Sequence, residues 1–152
     1  MPSMRKLLSA NAPGAVLLVR LIVGGIFFSE GIQKFLFPGD LGVGRFTKIG
    51  IPSPEVMAPF VGVCEILCGA LLLIGLLTRF ASLVMCINIS VAIVTTKIPL
   101  LVSKGFWSFA HEARVDYAML LGSPFLLVVG AGGLSLDARI GRGRTTPLKG
   151  KP

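Results

Sequence analysis

Four long apolar stretches, separated by short polar links, organise the 152-residue chain. They are read at residues 14–36, 55–77, 80–101 and 115–136. Each comes close to the roughly 20 residues with which a helix crosses a bilayer. Residues 38–53, PGDLGVGRFTKIGIPS, are rich in Gly and Pro and mildly amphipathic, which predicts a short helix on the membrane surface. Only Leu77-Thr78-Arg79 joins the second stretch to the third, which requires a tight antiparallel turn. The predicted fold is all-α, an integral membrane four-helix up-down bundle over residues 14–140. A cytoplasmic N-terminal segment (1–13) and a disordered basic tail (141–152) complete the expected organisation. The first stretch runs past a signal-peptide core and lacks a small-x-small cleavage site, so it is expected to be retained.

Polar residues interrupt the stretches at helical spacing. Arg20, Gly24, Phe27, Gly31 and Lys34 are four, three, four and three apart, which places them on one helix face with Glu30 on its flank. The second stretch carries a matching stripe of Gly62, Glu65, Cys68 and Gly69. Small residues let helices approach closely, so both stripes are expected to face inward. Aligning the midpoints near Gly25 and Glu65 puts Arg20 roughly 7 Å from the level of Glu65. An inner cluster of Arg20, Glu65 and Asn88 follows from that alignment. An outer cluster is predicted from Glu30, Lys34, Lys97, Arg114, Asp116 and Tyr117.

A charge at the bilayer centre costs about 2.5–3.5 kcal/mol on insertion scales, so both clusters are candidate functional sites. The structural alternative is that Arg20 and Glu65 only fix helix register, while Lys34 and Arg114 extend to the headgroups.

Composition supports the membrane reading: 53% of residues are hydrophobic and 14% charged, with mean hydropathy +0.84. The formal net charge of +8 does not indicate nucleic-acid binding. Five of the fifteen basic residues lie from Arg139 to the C-terminal end, and no nucleic-acid motif accompanies them. With both termini inside, the inner segments hold eight basic residues and the outer ones six. The expectation is an N-in/C-in protein of the bacterial cytoplasmic membrane. KGFWSFAHEAR (104–114) holds the single Trp and single His and reads as an interfacial aromatic belt. Cys64, Cys68 and Cys86 lie in apolar runs and read as buried filler, with a redox or soft-metal pair at Cys64 and Cys68 as the alternative. GVG (42–44), GAGG (130–133) and His111-Glu112 lack the context of a nucleotide loop or a metalloprotease site, and no metal site is assigned.

Several segments together resemble the DoxX family of small four-span membrane proteins, over about residues 14–140. These are Arg20 followed by GGIFFSEGIQKF, then IGIPSP, CEILCGALLLIGLLTR and GAGGLSLDARI. Arg20, Gly31, Lys34, Gly50, Pro52, Glu65, Gly69, Gly75, Thr78 and Arg79 fall where the family pattern places such residues. The cysteines match no motif of the family. The resemblance implies a four-helix membrane bundle and an association with quinone-linked sulfur oxidation, membrane oxidoreductase assemblies or resistance to thiol stress.

No haem-ligand pair, flavin motif or iron–sulfur cysteine set occurs, so the expected role is an accessory subunit of a quinone- or thiol-redox system. Whether the chain is itself an enzyme stays undecided, no catalytic residue is assigned, and quinone is the one cofactor class kept open. Expected partners are the bilayer, a membrane or membrane-associated redox protein, and a second copy of the chain. The alternatives are a membrane scaffold or chaperone for another membrane protein, and a small-solute or proton permeation protein.

Overall fold

The apolar stretches fold as helices, and no strand occurs among the described residues. The computed structural model describes residues 14–143, with side chains described through residue 140. The expected N-terminal segment (1–13) and the tail from residue 144 lie outside the described residues. In chain order the helices are α1 (Val16–Leu36), α2 (Val43–Lys48), α3 (Pro54–Ile74) and α4 (Thr78–Ala92). A π-helical turn (Ile93–Lys97) leads into α5 (Ile98–Glu112), followed by α6 (Arg114–Val129) and α7 (Leu136–Gly143).

Among the described residues, three helices are long and apolar enough to cross a membrane: Val16–Leu36, Pro54–Ile74 and the continuous run Thr78–Glu112. The fourth expected span, 115–136, is shorter than the sequence reading. α6 has 16 residues and ends at Gly130, whose φ of 84° no longer continues a helix. Its length is about 24 Å, against a hydrocarbon core of about 30 Å. α6 packs chiefly on α4 and less closely on α1. α7 extends helix to Gly143, into the stretch expected to be a disordered tail.

Glycine sets the distance between α1 and α3. A Cβ at Gly24 would lie 2.9 Å from the Gly69 carbonyl oxygen, and one at Gly31 would lie 2.7 Å from that of Gly62. Buried Val23, Phe27, Leu72, Met85, Met119 and Leu126 fill the core between the four long helices. The outer faces carry exposed apolar side chains such as Leu18, Leu67, Phe80, Ile87, Leu121 and Val128. In water this surface would be an association hazard; against lipid it is the expected solvent-facing surface, and it places the bundle in contact with the bilayer.

The third helix run is not uniform. Pro99 has no N–H to give the Thr95 carbonyl, and the helix widens to a π turn over Ile93–Lys97 just before it. Thr95 and Thr96 turn their hydroxyls back on the Val91 and Ala92 carbonyls, at 2.9 and 2.6 Å. Farther on, Gly105 (φ 78°, ψ 177°) kinks α5, and beyond it Trp107 is 83% exposed.

Candidate functional site

At one end of the bundle, Arg20 ties three chain segments together. Its guanidinium is buried and donates to four backbone carbonyls: Leu72 (2.9 Å), Leu73 (2.9 Å), Ala131 (2.8 Å) and Leu134 (2.7 Å). Two of these acceptors belong to the last turn of α3, where carbonyls have no partner within the helix and positive charge is favoured. The other two lie in the turn after α6. Gly75 (φ 71°) permits this arrangement, since a Cβ there would lie 2.6 Å from Arg20 Cζ. Asp137 completes the knot by accepting from the backbone N–H groups of Leu77 (2.9 Å) and Thr78 (3.1 Å), capping α4 from α7.

Glu65 therefore meets a different cation from the one expected. Lys34 Nζ lies 2.5 Å from Glu65 Oε2, and Asn88 Nδ2 donates to Glu65 Oε1 at 2.7 Å. The pairing of Arg20 with Glu65 is corrected, for two physical reasons. The Gly24–Gly69 and Gly31–Gly62 contacts set a register in which Glu65 is level with Phe28. Arg20 is then about 12 Å away along the axis and Lys34 about 9 Å. Side chains also lean toward the N-terminus of their own helix. In the antiparallel pair, Lys34 and Glu65 lean toward each other, while Arg20 leans away.

The Lys34–Glu65–Asn88 cluster lies on the wall of a cavity of about 350 Å³, bounded by α1, α3, the α4–α5 run, α6 and the α1–α3 connection. Lys97, also on this wall, pairs with Asp116 at 3.3 Å and donates to the Glu112 carbonyl at 3.1 Å. Glu30 lines the same space. Lys34, assigned from sequence to the outer cluster, thus joins Glu65 and Asn88 in one cavity with Glu30, Lys97 and Asp116. Arg114 and Tyr117 are not among its lining residues. Arg114 donates to the His111 carbonyl at 2.5 Å, and the exposed Tyr117 ring sits edge-on to Phe109 at 6.1 Å.

Sequence reading missed Arg45, Thr95, Thr96 and Glu112, which also line the cavity. The short helix expected at the membrane surface forms as α2, and the 37–53 connection around it folds against the cavity, contributing Arg45, Phe46, Ile49 and Ile51. Charge pattern alone could not place Arg45, because α2 has six residues, too few for spacing to fix which way it faces. The Thr95-Thr96-Lys97 run before Pro99 did carry a signal, since a helix approaching a proline must redirect its hydrogen bonds. Apolar Ile26, Phe27, Met57, Val61, Ile89 and Met119 make up much of the remaining wall. The three cysteines are free thiols, and none lines the cavity. Such a chamber suits a small molecule with an apolar body and one or two hydrogen-bonding groups.

Comparison with known proteins agrees with the membrane reading. An uncharacterized membrane protein of Mycobacterium tuberculosis is 49% identical over 150 residues, covering 95% of this chain and 92% of the relative. CatD of Bacillus subtilis, named as a candidate oxidoreductase, is 34% identical over 129 residues, covering 84% of this chain and 88% of its own length. No solved structure matches the chain significantly. The DoxX family profile matches residues 15–98, which contain Arg20, Lys34, Glu65 and Asn88. The chain is a membrane protein and belongs to the DoxX family.

Proposed function

We propose that the chain is an accessory subunit of a membrane oxidoreductase system, and that its cavity binds a quinone ring. The observation carrying this reading is a carboxylate inside the helical bundle, Glu65, held by Lys34 and Asn88 on the wall of a largely apolar chamber. The oxidoreductase name of CatD supports the redox half of the reading. Both termini face the cytoplasm, residues 14–140 form the membrane domain, and the membrane is the bacterial cytoplasmic one.

The chamber fits a quinone ring in volume and chemistry. Lys34 Nζ spends one of three donors on Glu65, and Asn88 keeps a second N–H and its amide oxygen. Either can donate to a ring oxygen. A bound quinone would supply two-electron, two-proton chemistry, with the electrons coming from the partner redox protein. Glu65 is the group placed to take or give a proton at its Oε2, across the Lys34 contact. Ile26, Phe27 and Met119 would give a bound ring apolar walls.

Purification in mild detergent, followed by identification of bound proteins and extracted quinones, tests this reading. A stoichiometric redox protein together with quinone supports it. A partner without redox chemistry and without quinone would favour a scaffold instead.

A further inference from the structure

The four long helices are unequally laced around the cavity. Lys34, Glu65 and Asn88 bond α1 to α3 and α3 to α4, and Lys97 with Asp116 bonds the α4–α5 run to α6. Among the described residues, no side-chain hydrogen bond or ion pair joins α6 to the cavity half of α1.

Helical spacing locates where that seam parts. Val19, Val23, Ile26 and Glu30 are four, three and four apart along one face of α1. Val115, Met119 and Gly122 are four and three apart along one face of α6. Toward the Arg20 end the two faces touch, since a Cβ on Gly122 would lie 2.5 Å from Val23 Cγ2. Toward the other end the same two faces border the cavity. Ile26, Glu30, Val115 and Met119 all line the cavity, and Val115 is 47% exposed.

We infer that this half of the α1–α6 seam is a lateral portal through which an alkyl-tailed quinone brings its ring from the bilayer to Lys34 and Asn88. The tail remains among the lipid chains outside. The inference rests on the quinone reading above, and portal and occupant are tested separately. A second hollow adjoins the cavity, and its rim carries three charged residues against the single Glu30 at the seam. The cavity shares Arg45, Ile49, Thr95 and Thr96 with an adjacent hollow that also carries Asp40 and Lys48. An apolar chain gains nothing by leaving lipid for that charged rim.

Trp107→Phe removes the single tryptophan, and Met119→Trp then places a reporter on the buried cavity wall. Phe27→Trp serves if Met119→Trp does not fold. In proteoliposomes, quenching of the reporter by a decyl-substituted benzoquinone gives an association rate on stopped-flow mixing. The pair Ile26→Phe/Val115→Phe fills the seam and is expected to slow association at least tenfold. Lys48→Phe, at the charged hollow, is expected to change it less than twofold. Slowing by Lys48→Phe, with or without slowing by the seam pair, or by neither, overturns the portal. If the quinone quenches neither reporter, the quinone reading falls, and lipids brominated on their acyl chains then test the portal alone. They quench the buried reporter if the seam is open; an unquenched reporter overturns the portal.

Discussion

Lys34 Nζ lies 2.5 Å from Glu65 Oε2, bridging two helices whose backbones are brought together by glycine. The contact is possible only because the Gly24–Gly69 and Gly31–Gly62 approaches fix the register and the two side chains lean toward each other. Asn88 then satisfies the second carboxylate oxygen from the third helix. Three helices thus converge on one acid.

Removing one partner of a buried pair costs about 3–5 kcal/mol, whereas replacing both with apolar residues is often nearly neutral. Lys34→Met and Glu65→Leu are each expected to lower the apparent Tm in detergent. The double variant should lie closer to the parent than either single one. Thermal unfolding of the four proteins measures the coupling directly. A double variant whose loss is the sum of the two single losses would show that the contact carries no energy.

Gly31→Val should separate α1 from α3, because even its Cβ would sit 2.7 Å from the Gly62 carbonyl oxygen. Overpacking of this kind costs about 1–3 kcal/mol. The helix shift should also break the Lys34–Glu65 contact, so a further Lys34→Met substitution should cost less in this background than in the parent. Unfolding of the single and combined variants checks both effects.

Arg20→Lys keeps the charge but loses the planar fork that reaches four carbonyls. Each buried carbonyl left without a donor costs about 1–3 kcal/mol. The variant is expected to unfold earlier and to be cleaved faster by protease near Gly130–Leu136, while the folded fraction keeps its affinity for quinone. Parent-like stability would remove the anchoring role.

The helical fold and its inward stripes were legible in the sequence because small and charged residues recur at helical spacing. Gly24, Gly31, Gly62, Glu65 and Gly69 are all buried, on the faces that the spacing indicates. Partner choice was not legible. It depends on a register shift of a few residues between α1 and α3, and midpoint alignment is no finer than that. Arg20 shows the same limit. Its acceptors are backbone carbonyls, and no residue type marks a carbonyl left free at a helix end. The fourth span was overestimated because Gly130 stops α6 within a stretch whose apolar character continues. Arg45 belongs to α2, a six-residue helix too short for spacing to show which way it faces.

On the proposed reading, the Lys34–Glu65–Asn88 wall binds a quinone and is not only a helix fastener. Its most direct test is the quinone bound per protein in lipid nanodiscs, comparing the parent with Lys34→Met/Glu65→Leu, whose stability is expected to be close to that of the parent. The account predicts saturable binding near one quinone per chain in the parent and at least tenfold weaker binding in the folded double variant. Equal binding by both proteins would contradict it.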